Sequence, residues 1–243
     1  MVHLPLFSHS NPENVLIVGG GDGAMLQEVC RHPQVRRVTL VEIDPMVIDV
    51  CKKHLNLVPN ELFDDPRVEI VYADAAEYLQ DPTNRNRFDI ILADTLDPCG
   101  PAESLFEPEF YEAMYAALRT NGIICTQGEC MWIHMDLIRD LVTCCAEIFD
   151  YAEYATTGVP SYPCGQIGFV LARKDRAESC RVPARRPTFQ SDLKWYNPQM
   201  HRAAFVLPEC IKEELEPLNL VNQDGGDDDI REDDCFLKGC VIQ

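Results

Sequence analysis

The sequence predicts an α/β fold in which a mostly parallel β-sheet is covered by helices on both faces. Two observations support this prediction. Short apolar runs alternate with helix-like segments between residues 15 and 148, and two further apolar runs then follow each other with only a loop between them. Alternation at this spacing is typical of parallel strands joined by helical crossovers. The two consecutive runs are instead expected to pair as an antiparallel hairpin at one edge of the sheet.

Each predicted strand is short and mostly apolar, as expected for a strand that is buried on both faces. The strands in order are residues 15–18, 38–41, 68–71, 88–93 and 122–126, followed by 151–157 and 167–172 in the hairpin. The intervening helices are predicted near residues 24–32, 45–54, 75–79, 108–118 and 132–148. Five parallel strands followed by a terminal hairpin are the pattern of the Rossmann-like sheet of S-adenosylmethionine methyltransferases.

The chain of 243 residues is 46% hydrophobic and 25% charged, which fits one folded domain with a full core. We assign residues 1–210 to this domain. Residues 174–186 are basic and polar and are interpreted as a linker, whereas residues 196–210 are apolar enough to pack back on the domain. Residues 211–243 are acidic and are predicted to form a disordered tail.

The formal net charge of −19 argues against nucleic acid or an anionic membrane as the main partner and favours a cationic ligand. The twelve cysteines are scattered without a C-x-x-C pair, and MVHLPLFSHS lacks the features of a secretory signal. We therefore expect reduced thiols in a cytoplasmic protein. The six histidines stand singly, so no metal site is predicted.

A glycine-rich turn follows the first predicted strand and opens the first predicted crossover helix. Gly19, Gly21 and Ala24 match the pattern G-x-G-x-x-A, and Glu42 ends the next strand. Glycines let the backbone approach a ligand, and an acid at the end of the second strand accepts hydrogen bonds from ribose hydroxyls. The sequence therefore predicts a ligand that contains adenosine.

Asp22 lies inside this turn, where a dinucleotide would place its pyrophosphate. A carboxylate there repels phosphate, so the turn favours S-adenosylmethionine or a relative, whose sulfonium and amine are both positive. Asp74 follows the third strand and can meet an adenine amino group. It is also expected to cap the next helix, with Glu77 three residues later.

The fourth predicted strand ends in LADTLDPCGPAE, with two acids three residues apart, Asp94 and Asp97. A buried carboxylate without a partner is costly, so this ending indicates either a functional site or the start of an ordinary loop. Because ligands bind beyond the carboxyl ends of parallel strands, Asp22, Glu42, Asp74 and Asp94 are expected to surround one crevice.

Seven motifs resemble those of the spermidine synthase family of aminopropyltransferases over about residues 2–208. In order, they are GGGDG, VEID, YADA, DTLDPCGPAESLF, QGECMWIH, PSYPCGQIGF and HRAAFVLPE. The resemblance implies transfer of an aminopropyl group from decarboxylated S-adenosylmethionine to putrescine, which yields spermidine and methylthioadenosine. It also implies a homodimer in which the donor is a co-substrate and no cofactor is permanently bound.

The resemblance assigns the donor site to residues already singled out. Glu42 would hold the ribose, Asp74 and Ala75 the adenine, and Asp22 the ammonium of the aminopropyl group. Gly19 and Gly21 would shape the turn around the donor.

The resemblance places the acceptor site at the fourth strand and beyond it. Asp94 would accept a proton from the attacking amine, which cannot act as a nucleophile while it is protonated. Asp97, Gln127 and Tyr162 would line the diamine channel. For Gln127 and Tyr162 a packing role is an alternative.

The sequence departs from the family pattern at its start. Family members carry a small N-terminal β domain that covers the active site, and Met1 stands where that domain would end. The lid is therefore expected to be missing, and the alternative function is a weakly active or non-catalytic partner of a full-length synthase. An ordinary methyltransferase is a third hypothesis, which the diamine motifs oppose.

Smaller departures are Leu96, where a small hydroxyl residue is usual, Ala24, where glycine is usual, and Cys164, where serine or glycine is common. Leu96 is expected to narrow the channel and to shift the amine preference.

The last four residues, CVIQ, match the C-a-a-X prenylation pattern at Cys240. Membrane association is expected only if Cys240 is prenylated.

Overall fold

The computed structural model describes residues 1–55, 57–94, 105, 107–175, 179–186 and 188–219. Seven strands form one sheet in the order β3-β2-β1-β4-β5-β7-β6. The strands are β1 Asn14–Gly19, β2 Arg37–Glu42, β3 Val68–Tyr72, β4 Phe88–Asp94, β5 Leu118–Gln127, β6 Tyr151–Gly158 and β7 Gln166–Arg173. β1 to β5 are parallel, and β7 pairs antiparallel with both β5 and β6. The predicted fold class is confirmed.

Eight α-helices accompany these strands in the described part of the chain. They are α1 His3–Ser8, α2 Ala24–Cys30, α3 Pro45–Val50, α4 Ala75–Gln80, α5 Pro108–Ala117, α6 Met135–Ile148, α7 Pro198–Ala203 and α8 Glu209–Asn219. α3 runs directly into a π-helical turn, Cys51–Leu55. Over the described residues, none of the helices has the length and apolar character needed to cross a bilayer.

The central strands divide the core into two layers. Successive side chains of β1 and β4 point to opposite faces, so Ile17 and Leu92 pack with α1, α2 and α3, whereas Leu16 and Ala93 pack with α4, α5 and α6. All of β4 from Phe88 to Ala93 is buried. Burial on both faces is the reason why these strands read as continuous apolar runs.

Two helices differ from their predicted form. α6 begins at Met135 and not at residue 132, because Ile133 N and His134 N both donate to Cys130 O, at 3.0 and 2.9 Å, and close a turn before the helix. α1 was not predicted. It spans only six residues, too few to show a helical period, and is held by the burial of residues such as Leu6 and Phe7.

The segment interpreted as a linker packs on α1 where the structure describes it. Ala184 N donates to Phe7 O at 2.8 Å, and the Arg185 guanidinium donates to Leu6 O at 2.6 Å and to His9 O at 2.9 Å. Cys180 in the same segment is fully buried. The polar composition therefore reflects hydrogen bonds to helix carbonyls, and the interpretation of a free linker is wrong for residues 179–186.

The return of residues 196–210 to the domain is confirmed. His201 on α7 is fully buried, and its ring nitrogens lie 2.7 Å from Tyr196 Oη and 2.8 Å from Cys180 O. Ala204 and Phe205 are also buried. The imidazole thus joins the chain end to the segment that packs on α1.

The predicted boundary between domain and tail falls inside α8. Ile211 and Leu215 lie four residues apart and are both buried in the layer that contains α6, and Glu214 forms an ion pair with Arg139 of α6. Disorder is therefore the wrong prediction for residues 211–219, because one apolar stripe suffices to dock a helix whose other faces are charged. Residues 220–243 of the predicted tail lie outside the described residues.

Candidate active site

The predicted site residues follow one edge of the sheet, where the parallel strands end. Val18 pairs with Ala93, Gly19 with Asp94, and Ala93 with Thr126. Asp94 and Gln127 are thus the next residues on two adjacent strands. The chain turns to β2 and β3 on one side of β1 and to β4 and β5 on the other. The C-terminal ends of β1 and β4 therefore flank the topological switch point, which is where open α/β sheets bind ligands.

The glycine turn brings the backbone close to the neighbouring strand. Gly19 has a φ of 74°, and a Cβ atom at this position would lie 2.7 Å from Asp94 O. Gly21 lacks a side chain for a different reason, since its Cβ would lie 2.8 Å from Glu42 Oε2. Only glycine lets the turn contact both β4 and the end of β2.

Glu42 is a buried carboxylate held by two backbone amides. Gly21 N donates to its Oε2 at 3.2 Å, and Asp44 N donates to its Oε1 at 3.1 Å. Its exposed fraction is 7%. Each carboxylate oxygen can accept a second hydrogen bond, so the two amides fix the group and leave it able to bind two ligand hydroxyls.

Asp22 lies at the start of α2. Its Oδ1 accepts a hydrogen bond from Ala24 N at 2.9 Å, which holds the carboxylate at the N-terminal end of the helix. Dinucleotide-binding enzymes hold a pyrophosphate at this position, whereas this protein has the negative charge of Asp22 there. A cationic group is the ligand that this position favours.

Asp94 ends β4 beside Gly19 of β1, and it is exposed to solvent. The surrounding atoms still withdraw enough water that burial raises the pKa of this carboxyl, and the negative charge of Asp22 raises it further. The charges of the two acids therefore influence each other. A base whose pKa is raised toward the working pH holds an abstracted proton better than an ordinary surface aspartate does.

Asp74 caps α4, as the sequence indicated. Its side chain accepts a hydrogen bond from Ala76 N at 2.7 Å. Ala73 N donates to Glu42 O at 3.2 Å, so Asp74 begins its helix directly beside the end of β2. Ala75 is buried behind it. The capping bond fixes one face of Asp74 and is compatible with a contact from its other oxygen to an adenine.

Gln127 ends β5 and has a neighbour that the sequence did not single out. Glu129 has a φ of 55° although it is not glycine. Its Oε1 lies 3.5 Å from Gln127 Nε2, and its Oε2 lies 3.3 Å from His134 Nδ1. Backbone conformations of this kind concentrate at functional sites. A strained φ has no signature in sequence, so only the run QGE at the end of the strand pointed to this position.

The structure describes only one of the two remaining predicted acceptor residues. Tyr162 lies on the turn between β6 and β7, and 43% of its side chain is exposed. Its backbone N donates to Val159 O at 3.0 Å. Asp97 lies outside the described residues, as does Leu96. The structure thus brings Gly19, Gly21, Asp22, Glu42, Asp74, Ala75, Asp94 and Gln127 to one edge and places Tyr162 on an adjoining turn.

Fold and site together define a Rossmann-like α/β protein whose carboxylates gather at the ligand-binding edge of the sheet. The family model described as the spermine/spermidine synthase domain matches residues 1–182. Spermidine synthase from Dictyostelium discoideum is 43% identical over 217 residues, which cover 88% of this chain and 75% of that protein. Spermine synthase from Arabidopsis thaliana is 42% identical over 90% of this chain and 62% of its own length.

Solved structures give the same result. A crystal structure of spermidine synthase in complex with the transition-state analogue AdoDATO matches with a TM-score of 0.81 and 35% identity, over 89% of this chain and 73% of that one. Spermidine synthase from Thermotoga maritima matches with a TM-score of 0.77 and 34% identity, over 88% of this chain and 72% of that one. The chain belongs to the spermine/spermidine synthase family and is a transferase of the spermidine synthase type.

Proposed function

We propose that this protein transfers the aminopropyl group of decarboxylated S-adenosylmethionine to putrescine, with Asp94 as the base. The observation that carries the proposal is the placement of Asp94 at the end of β4 beside Gly19, at the topological switch point. Burial and the negative charge of Asp22 raise the pKa of its carboxyl. Both substrates are cations, and this crevice is lined by carboxylates. Spermidine and methylthioadenosine are the products.

Donor recognition rests on the residues around the glycine turn. Glu42 accepts hydrogen bonds from the two ribose hydroxyls, and its two backbone donors keep the carboxylate in place. Asp74 and Ala75 meet the adenine at the end of β3. Asp22 pairs with the primary ammonium of the donor's propyl chain, which places the sulfonium and its reactive methylene between Asp22 and Asp94.

The acceptor amine arrives protonated and must lose a proton before it can attack. Asp94 takes this proton, and the nitrogen lone pair then forms a bond to the methylene carbon next to the sulfonium. The carbon–sulfur bond breaks, and its electrons neutralise the sulfur as methylthioadenosine leaves. Because the sulfonium is already a good leaving group, the protein supplies deprotonation and alignment. Asp97, Gln127 and Tyr162 hold the distal part of the diamine.

Three further statements belong to this proposal. The donor is consumed as a co-substrate, and no permanently bound cofactor or metal takes part. The resemblance to the family supports a homodimer, and the scattered free thiols support a cytoplasmic location. Putrescine is proposed as the acceptor ahead of spermidine, although spermidine and spermine synthases match this chain at similar identity.

The test incubates the purified protein with decarboxylated S-adenosylmethionine and either putrescine or spermidine, and quantifies methylthioadenosine and polyamines by mass spectrometry. We expect spermidine from putrescine. Asp94→Asn is expected to lower kcat by about 10²- to 10⁴-fold, the usual contribution of a general base. Asp150→Asn at an exposed position beyond α6 is the matched control. If Asp94→Asn turns over at the rate of the control variant, Asp94 is not the base. If the protein converts spermidine to spermine but does not react with putrescine, the proposed acceptor is wrong.

A further inference from the structure

Glu129 has a backbone conformation that glycine would adopt more easily. It follows Gln127, at the end of β5, by two residues, and its φ of 55° lies in the left-handed region. A Cβ atom is unfavourable in this region, so glycine is the residue that such a position prefers. Non-glycine residues in this conformation concentrate at functional sites. The side chain of Glu129 is therefore the feature that calls for a role.

Hydrogen bonds to the neighbouring strands fix the backbone of Glu129. Its carbonyl oxygen accepts from Gly168 N at 2.7 Å and from Tyr154 Oη at 2.9 Å. Gly128 N donates to Gly168 O at 2.9 Å, so the contact between β5 and β7 continues beyond Gln127. These bonds hold the segment in place, and the direction in which the Glu129 side chain leaves the backbone is fixed with it.

The carboxylate of Glu129 lies between two side chains. Its Oε1 accepts a long hydrogen bond of 3.5 Å from Gln127 Nε2, and its Oε2 lies 3.3 Å from His134 Nδ1. His134 is itself fixed just before α6, because its backbone N donates to Cys130 O at 2.9 Å. The Glu129 side chain is only 19% exposed. Each carboxylate oxygen thus has a partner of its own.

This carboxylate decides which way the amide of Gln127 points. An ionised carboxylate only accepts hydrogen bonds, whereas a side-chain amide has one end that donates and one that accepts. The end of the amide that faces Glu129 must therefore be the NH₂ group. Because the two ends of a planar amide point apart, Oε1 of Gln127 is directed away from Glu129. An oxygen in this position can accept a hydrogen bond from an ammonium group, which an NH₂ group cannot do.

A cavity beside Gln127 provides space for a ligand. It has a volume of about 200 Å³, and Gln127 and Glu129 line it together with Tyr111 of α5 and with Ile138 and Leu141 of α6. A pure packing role would place the Gln127 side chain against protein on all sides. Its place at the wall of a cavity favours a contact with a ligand instead.

We propose that Glu129 is a positioning residue for the acceptor: it orients the amide of Gln127 so that the amide oxygen accepts a hydrogen bond from the distal ammonium of the diamine. His134 holds the second oxygen of the carboxylate. Glu129 acts through Gln127 and does not touch the reacting atoms. The effect on the acceptor rests on the proposed function, whereas the orientation of the amide does not.

Variants at both positions test whether Glu129 acts through Gln127. Glu129→Gly removes the carboxylate and suits the left-handed backbone, and Gln127→Ala removes the amide. Each is expected to raise the KM for putrescine by about tenfold, the scale of one hydrogen bond to a charged group, with kcat and the KM for the donor unchanged. The double variant is expected to show the same rise of about tenfold, because the two residues act as one unit.

Two results of these kinetics overturn the proposal. A rise of roughly 100-fold in the double variant, the product of the two single effects, means that Glu129 acts independently of Gln127, as a direct ligand would. An unchanged KM for putrescine in Glu129→Gly means that the carboxylate has no role in acceptor binding.

Asn86→Gly is the matched control for the change in the backbone. Asn86 also has a positive φ, 50°, and it lies just before β4, at the opposite end of the sheet from Gln127. This variant is expected to keep the KM for putrescine of the unmodified protein. An equal rise in Asn86→Gly and Glu129→Gly would overturn the proposal, because the effect would then come from the backbone and not from the carboxylate.

The side-chain amide of Gln127 reports its own orientation without any turnover. Its NH₂ signals in proton–nitrogen correlation spectra are identified by their loss in Gln127→Ala. We expect them to move in Glu129→Gly, which lacks the accepting carboxylate, and to stay in place in Asn86→Gly. Unmoved signals in Glu129→Gly overturn the proposal even if the protein transfers aminopropyl groups. If no transfer is found, the proposed function fails, while these signals still decide whether Glu129 orients the amide.

Discussion

Replacing Gly21 with alanine tests the part of the site that is expected to hold the donor's ribose. A Cβ atom on Gly21 would lie 2.8 Å from Glu42 Oε2 and 2.9 Å from Val47 Cγ1. Ordinary contact begins at 3.4 Å, so the Glu42 carboxylate must retreat by about 0.6 Å, the difference between 3.4 and 2.8 Å. The 3.2 Å bond from Gly21 N then lengthens beyond hydrogen-bond range.

The same displacement carries the carboxylate away from the ribose hydroxyls. Loss of one hydrogen bond to a charged group costs about 1.5–3 kcal/mol, which corresponds to a fall in donor affinity of roughly 10- to 100-fold. We expect isothermal titration calorimetry to show this fall for methylthioadenosine. Steady-state kinetics are expected to show a raised KM for the donor and an unchanged KM for putrescine.

The control is Gly158→Ala at the end of β6. A Cβ atom there would meet only Gly165 O, at 3.8 Å, which is ordinary contact. This variant is therefore expected to bind methylthioadenosine normally. If Gly21→Ala binds methylthioadenosine with an affinity within a factor of two of that of the unmodified protein, Glu42 does not belong to the donor site. The reason is that the added Cβ atom displaces the carboxylate whatever the ligand is.

Two further predictions concern charge and stability. Asp22→Asn removes a charge that raises the pKa of Asp94, so the acid limb of the plot of kcat against pH, measured at saturating donor, is expected to move to lower pH. Asp44→Asn keeps the cap of α3 and is expected to leave the limb in place. An unmoved limb in Asp22→Asn contradicts the electrostatic effect of Asp22 on Asp94. Leu215→Ala removes a buried side chain of α8 and is expected to lower the free energy of unfolding in urea by about 2–5 kcal/mol. Val206→Ala, at a position 74% exposed, is the control, and equal stability of both variants would show that α8 does not pack.

The strands and the donor side of the site were predictable from local chemistry. Strands buried on both faces must be apolar throughout, and β4 from Phe88 to Ala93 shows this without ambiguity. The glycine turn and Glu42 were predictable because a close backbone approach requires glycine, and the parallel arrangement then places the strand ends at one edge. Asp74 satisfied the rule for a helix cap in sequence and in structure.

Segments that are stabilised by contacts with distant parts of the chain were harder to predict from the sequence. The composition of residues 211–219 is typical of a disordered tail, yet Ile211 and Leu215 dock α8 in the layer that contains α6. α1 is too short for a periodic signal, and it is held in part by the guanidinium of Arg185, which is 179 residues away from Leu6 in sequence. A short chain segment cannot reveal a partner that only the folded chain supplies.

What the sequence by itself determined is therefore the set of strands, the glycine turn and the acids at the strand ends, since each follows from burial, glycine geometry or charge within a few residues. Only the tertiary structure decided how these groups act on one another. The pKa of Asp94 depends on Asp22, 72 residues earlier in the sequence. Electrostatic interactions depend on the distances between charged groups, and those distances exist only after the chain has folded.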